Sequence, residues 1–258
     1  MTRAAERVLA LALAEVGYLE KASNAQLDSP TANAGSGNYT KYARDLDAVE
    51  GLFNGKKNGH AWCAVFAIWP FVRAFGAELA MRMLYLPAKS LGAGVKYLAG
   101  YFRRAGRFFK TGPQPGDLLF FYKKDLTSWA HVGLVERTDG ERVYTVEGNA
   151  AWASGVTPNG GGVVCKSYAI TYDRIAGYGR PDWPAAEEGE EEDMLTGKEI
   201  VERINEYTAA LPVPDWAERE LREAVEMGIT DGSDPMGLIP RYQAAIMALR
   251  AAKAEVRP

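Results

Sequence analysis

The chain has two cysteines and two histidines among its 258 residues, so few side chains are available for nucleophilic chemistry near neutral pH. Cys63 lies within His60-Ala61-Trp62-Cys63-Ala64-Val65-Phe66, at the head of an apolar run. A thiol at a helix N-terminus ionises readily, because the partial positive charge there favours the thiolate, which is the competent nucleophile. Taken alone, Cys63 reads more simply as a buried core thiol, since cysteine is among the most buried residue types. His131 follows Ser128-Trp129-Ala130 at a strand mouth, where a histidine is as readily a surface residue as a base. Glu147-Gly148-Asn149 ends the next strand-like run. A carboxylate or amide there can accept the imidazole Nδ1 proton and leave Nε2 facing the thiol. Nucleophile, base and orienter form a coherent set. Cys165 has no partner at metal-type spacing and reads as a small buried hydrophobe. No metal and no cofactor is expected.

Elements must bring these residues together. An amphipathic helix is predicted near residues 2–16, closed by Gly17. Residues 22–40, rich in Asn, Ser, Gly and Asp, read as a long loop, and Tyr39–Leu46 as a helical turn. Trp62 to Phe75 is predicted as a buried helix capped by Gly76, with Pro70 removing the backbone bond to Phe66 and kinking it. Ser90 to Ala105 reads as a further helix. Strands follow at Leu118–Tyr122 (after the Pro115-Gly116-Asp117 turn), His131–Arg137, Arg142–Glu147, Gly162–Tyr168 and Ile175–Tyr178. Helices first and strands later favour an α+β fold with an antiparallel sheet.

The hairpin sets a condition. Side chains alternate faces along a strand, so His131 and Glu147 meet only when the register places both on one face. A two-residue turn at Asp139-Gly140 pairs His131 with Gly148 and points Glu147 away. A three-residue loop, Thr138-Asp139-Gly140 with Gly140 at positive φ, sets His131 opposite Glu147. An odd-length loop is therefore predicted.

Four segments in this order, Trp62-Cys63, Pro115-Gly116-Asp117-Leu118-Leu119-Phe120-Phe121, His131-Val132-Gly133-Leu134-Val135 and Val146-Glu147-Gly148-Asn149, resemble the CHAP family, cysteine, histidine-dependent amidohydrolases/peptidases related to NlpC-type papain-like peptidoglycan hydrolases. The resemblance spans roughly residues 1–182. Val16 to Leu46 also resembles the amidase domain of endolysins from phages of Gram-positive bacteria. The resemblance implies Cys63 as nucleophile, His131 as base, and Glu147 and Asn149 as polar support. His60 or Asn149 is a candidate oxyanion donor beside the Cys63 N–H, and Trp62 and Trp129 are candidate walls of a substrate groove, with core packing the equal alternative for Trp62. Ala64 and Val65 stand where many relatives carry a polar residue, and Pro70 interrupts the nucleophile helix. Asp28, Asp45 and Asp47 are too scattered for the calcium loop some relatives have.

The net charge of -3 hides a division. Residues 1–184 carry 22 Lys+Arg against 16 Asp+Glu, a balance of +6, and residues 185–258 carry 8 against 17, a balance of -9. Three parts are predicted: a catalytic domain over 1–184, an acidic linker over 185–193, and a small helical module over 194–258. In the last, Thr196–Ala210, Ala217–Met227 and Arg241–Ala252 read as helices. Trp216, Gly228-Ile229-Thr230-Asp231-Gly232 and Pro240-Arg241 resemble one S-layer homology repeat, which implies wall binding. Dimerisation is the other role considered. A cationic body suits the teichoic acid phosphates of Gram-positive walls, and no basic cluster or stacking platform points to nucleic acid. No transmembrane span and no signal peptide is read, which implies synthesis in the bacterial cytoplasm and release to the wall. The resulting expectation is a peptidoglycan hydrolase of endolysin type, foremost an N-acetylmuramoyl-L-alanine amidase. The alternatives are a stem- or crossbridge-peptide endopeptidase and a non-catalytic wall-binding protein.

Overall fold

The computed structural model describes residues 2–152, 161–186, 197–209, 211–215 and 217–228. The chain divides into two compact units, Met1–Glu191 and Glu192–Pro258.

The first unit is α+β. Four helices, α1 (Arg3–Leu13), α2 (Lys41–Asp47), α3 (Cys63–Met83) and α4 (Val95–Arg104), precede most of a six-stranded sheet. The strands are β1 (Phe108–Phe109), β2 (Leu118–Tyr122), β3 (Trp129–Thr138), β4 (Arg142–Ala150), β5 (Gly162–Ala169) and β6 (Ile175–Gly179), in the order β1-β6-β2-β3-β4-β5, with every pair antiparallel. Thr2 and Thr40 cap α1 and α2, each hydroxyl accepting an otherwise unpaired N–H three residues on. The short β1 carries no period of its own and was not expected.

α3 is the centre of the core. Every residue from Cys63 to Phe71 is buried, because the run is apolar on all sides and other elements cover it all round. By length and composition α3 could cross a membrane, but its buried face belongs to the main cluster with Ala4, Val8, Tyr42, Leu98 and Phe120. The helix passes through Pro70 and departs from helical geometry at Gly76 (φ 77, ψ 169) instead. Proline's fixed φ is compatible with a helix, and the departure comes at Gly76, the residue expected to cap the Trp62–Phe75 helix, where glycine tolerates positive φ.

β2 is buried on both faces. Leu118 and Phe120 join the helix-packed core, while Leu119 and Phe121 join a second cluster with Val135, Val143, Tyr168 and Tyr178. Asp117, at the turn opening β2, is fully buried. Arg180, just past β6, donates to both its carboxylate oxygens at 3.0 and 2.9 Å, and Gln114 N–H donates at 2.9 Å. Burial raises the Asp117 pKa despite that arginine.

Two expectations need correction. Cys165 is exposed: it lies on the edge strand β5, whose core residues are Val163 and Tyr168. The linker does not begin at residue 185. Trp183 stacks on Phe71 with centroids 5.5 Å apart, and Ala185 and Ala186 are buried behind it, because two alanines after a tryptophan are apolar enough to stay packed. Residues 187–193 lie outside the described residues.

In the second unit, α5 (Gly197–Ala209) and α6 (Glu218–Glu226) flank the Leu211–Pro214 break, and Gly228 follows at φ 68. Ile200, Val201, Ile204 and Tyr207 of α5 are exposed, and α6 buries none of its residues. Trp216, the expected Arg241–Ala252 helix and the rest of the repeat-like run lie outside the described residues.

Candidate active site

Cys63 is the first residue of α3. Trp62 at the cap makes no side-chain capping bond and the first turn holds no acid, so the positive end of the helix acts on the thiol unneutralised. The sulfur-bearing residue is 5 % exposed.

His131 on β3 and Glu147 on β4 are both fully buried and joined by a 3.0 Å bond between Nε2 and Glu147 Oε2. The ring is turned the other way from the sequence expectation: Nε2 takes the acid, and Nδ1, which has no hydrogen-bond partner, is the nitrogen left for Cys63. Burial lowers the imidazole pKa, but interactions with Cys63 and Glu147 outweigh it, and the value is pushed up to about 10. Burial likewise raises the Glu147 pKa, but the His131 contact and a 2.6 Å hydrogen bond from Thr145 Oγ1 to Oε1 leave it lowered. The environment therefore favours an imidazolium against a carboxylate, the charge state that stabilises a neighbouring thiolate.

The register that achieves this differs from the expected one. The turn is two residues long, Gly140–Glu141, closed by Asp139 N–H to Arg142 O at 3.2 Å, with Gly140 at φ 94. From it Thr138 pairs with Val143 and Arg137 with Tyr144, but Val135 then pairs with Thr145 and Leu134 with Val146. Glu136 is the unpaired residue of a β-bulge, which changes the parity and puts His131 on the face of Glu147. The even loop would have failed alone. Carried one step further, the pairing sets Gly133 opposite Glu147, and a Cβ on Gly133 would lie 2.6 Å from Glu147 Cγ. Gly148 is needed for another contact: a Cβ there would lie 2.4 Å from Phe66 Cβ and 2.7 Å from Trp62 Cζ3. The glycine lets β4 lie against the first turn of α3.

Asn149 is buried at φ 56, and neither its Oδ1 nor its Nδ2 has a partner. It makes no bond to His131, so among the described residues Glu147 is the side chain hydrogen-bonded to the ring. Each unpaired buried polar atom costs on the order of 1–3 kcal/mol, and Asn149 carries two. A carbonyl or amide entering beside the thiol would satisfy them.

The other candidates separate. Trp62 is fully buried, stacked on Tyr42 at 5.6 Å, and its indole N–H donates to Glu20 Oε2 at 2.8 Å. It packs the core and walls no groove, because Tyr18, Tyr42 and Phe66 enclose it. His60 is exposed on a turn, its N–H bonded to Lys57 O. Trp129 is half-buried among Phe108, Phe120 and Tyr122. Three supporting residues escaped sequence reasoning. Thr145 lies two residues before Glu147 and so shares its face, a signal that could have found it. Tyr168, which adds to the lowering of Glu147, and Glu20 carry no such signal.

Residues 55–149 match the family model described as the CHAP domain. No curated protein matches the chain. Two solved structures are similar: "The crystal structure of Ly7917", with a TM-score of 0.40 and 16% identity over 69% of this chain and 62% of that one, and "The crystal structure of Ly7917 with the hydrolyzing product of MDP", with a TM-score of 0.35 and 18% identity over 47% and 53%. The chain thus spans about three fifths of the length of the first.

Proposed function

We propose that this protein is a peptidoglycan hydrolase that cleaves a wall amide bond through Cys63, foremost the N-acetylmuramoyl-L-alanine bond. The reading is carried by one observation: the buried His131–Glu147 pair with Nδ1 left for a helix-terminal cysteine, inside a segment matching the CHAP domain. In this scheme the Cys63 thiolate adds to the amide carbonyl, and the oxyanion takes a hydrogen bond from the Cys63 N–H and from Asn149 Nδ2. Imidazolium Nδ1–H gives its proton to the leaving amine as the C–N bond breaks, leaving a thioester. His131 then takes a proton from water, the hydroxide adds to the thioester, and the carboxylic acid leaves as the thiolate and imidazolium are restored. Glu147 holds the ring and offsets its charge throughout.

The proposal includes an endolysin-type role in wall lysis, with the C-terminal unit as a wall-targeting or dimerising part. Loss of both wall pelleting and self-association in a chain ending at residue 191 supports that part, and retention of both overturns it. Mass spectrometry of fragments released from purified sacculi tests the chemistry. Free L-alanine amines and intact glycan lactyl carboxyls are expected, and Cys63→Ala should release none. New amines within the stem or crossbridge would overturn the bond assignment, and release by Cys63→Ala would overturn the thiol mechanism.

A further inference from the structure

One corner of the sheet carries cations held on aromatic rings. Phe108 of β1, Tyr122 at the end of β2 and Trp129 at the start of β3 are all half-buried. Trp129 meets Phe108 and the buried Phe120 edge-on, with centroids 6.2 and 6.1 Å away, and Tyr122 at 5.1 Å. Arg103, on the last turn of α4, lies over both Phe108 and Trp129, with Cζ 4.9 and 4.7 Å from the ring centres. Among the described residues its side chain makes one hydrogen bond, a long one of 3.4 Å to the Tyr122 hydroxyl. Lys110 Nζ sits 5.9 Å from Phe108 and 6.0 Å from Tyr122 and donates to Ala176 O at 2.8 Å.

The rings fix both cations without neutralising them. Residues 95–124 hold seven Lys and Arg and a single acid, Asp117, which is buried against Arg180. Asp125, the next acid, accepts the N–H groups of Thr127 and Ser128 in its own turn. Among the described residues no carboxylate pairs with Arg103 or Lys110. A guanidinium with most of its five donors free is suited to a phosphodiester. Trp129 is two residues from His131 in the chain, but the bulge between Phe121 and Tyr122 sets Trp129 and Tyr122 on the Phe120 face of the sheet and His131 on the Phe121 face.

We propose that this corner is a subsite for a phosphodiester-linked polyol or sugar polymer of the cell wall, bound by Arg103 and Lys110. The identity of the polymer rests on the wall-hydrolase reading. Single-stranded nucleic acid is the competing polyanion, but it needs bare ring faces for its bases, and here Arg103 already covers Phe108 and Trp129.

Binding of poly(glycerol phosphate) to the full-length chain tests this, in a Cys63→Ala background so that no turnover intervenes. The expected result is saturable binding that weakens as salt rises, and binding roughly tenfold or more weaker in Arg103→Gln/Lys110→Gln. Lys110→Gln alone, at an exposed position, should fall between the two and answers the case in which the double variant does not fold. Equal binding by the variants, or tighter binding of a single-stranded oligodeoxynucleotide of matched charge, overturns the subsite. The Cys63→Ala background separates the two readings. Polymer binding without any wall hydrolysis by the wild-type chain would count against the enzyme alone, and hydrolysis without polymer binding against the subsite alone.

Discussion

The β3–β4 hairpin has two ends built on opposite terms. At the turn end, Asp139 is exposed and fully engaged: Oδ1 accepts the N–H groups of Glu141 and Arg142, and Oδ2 accepts the Tyr144 hydroxyl at 2.9 Å. Those hydrogen bonds, backbone first, lower its pKa. At the other end, His131, Glu147 and Asn149 are buried, and both amide atoms of Asn149 lack partners. One end is exposed with its polar groups paired, and the other is buried and partly unpaired. The difference separates an end that closes the hairpin from an end whose buried polar groups are not all used in holding the fold, and orphan buried groups are costly and persist only where the surrounding structure holds them.

The sharpest way to break this contrast is Glu147→Gln. It should lower kcat by about 10²–10⁴-fold while leaving the turn intact. The high-pH limb of the rate profile, set by loss of the His131 proton near pH 10, should move to lower pH, because one interaction that raises the pKa is removed. Stability should respond with the same sign. A histidine whose folded pKa lies above its unfolded value of 6.5 adds stability that is fully present below pH 6.5 and disappears as pH rises through about 10. The Tm of the wild type should therefore fall across that window, and the Gln variant should show a flatter profile. A parallel decline would refute the assigned pair.

Thr145→Val removes the 2.6 Å donor to Glu147 without changing the side chain's shape much. About a tenfold loss of kcat is expected, with the low-pH limb displaced upward as Glu147 becomes easier to protonate. An unchanged pH profile would reduce Thr145 to packing.

Deleting Glu136 addresses the join between the two ends. Because the bulge residue pairs with nothing, its removal should leave Val135 opposite Thr145 and Arg137 opposite Tyr144, and activity should stay within about tenfold of wild type. Loss of activity in a folded protein would mean that the twist supplied by the bulge positions His131. The smallest effect on chemistry belongs to Asp139→Ala. Wall hydrolysis should be unaltered, with Tm reduced by no more than about 2–4 °C. That reduction should shrink under strongly acidic conditions, because a carboxylate with a lowered folded pKa adds stability above its unfolded pKa that is lost as pH falls through the folded one.

Much of the site was legible in the chain. The helical start at Cys63, the strands bearing His131 and Glu147 and the glycines inside His-Val-Gly and Glu-Gly-Asn all follow from apolar runs and turn residues. The ring orientation did not, because which imidazole nitrogen faces the acid depends on the distance between β3 and β4, not on residue type. The hairpin parity was posed correctly as a question and answered by a route the sequence hides: Glu136 is an ordinary strand residue, and nothing local marks it as the one without a partner. Trp62 was misplaced for a related reason. Adjacency to a nucleophile in sequence says nothing of direction, and at a helix start the next residue points some 100° away, here into Tyr42 and Glu20. Cys165 failed on position within the sheet, since alternation does not reveal which strand is at the edge.

The bulge separates the register of the Gly140–Glu141 tip from that of the end that holds His131 and Glu147. Extra residues added there lengthen a loop and leave the pairing of Leu134 with Val146 to the core that holds it. That makes the tip a docking port for engineering, where a fluorophore, an affinity peptide or an added binding module can be carried without disturbing the geometry of His131.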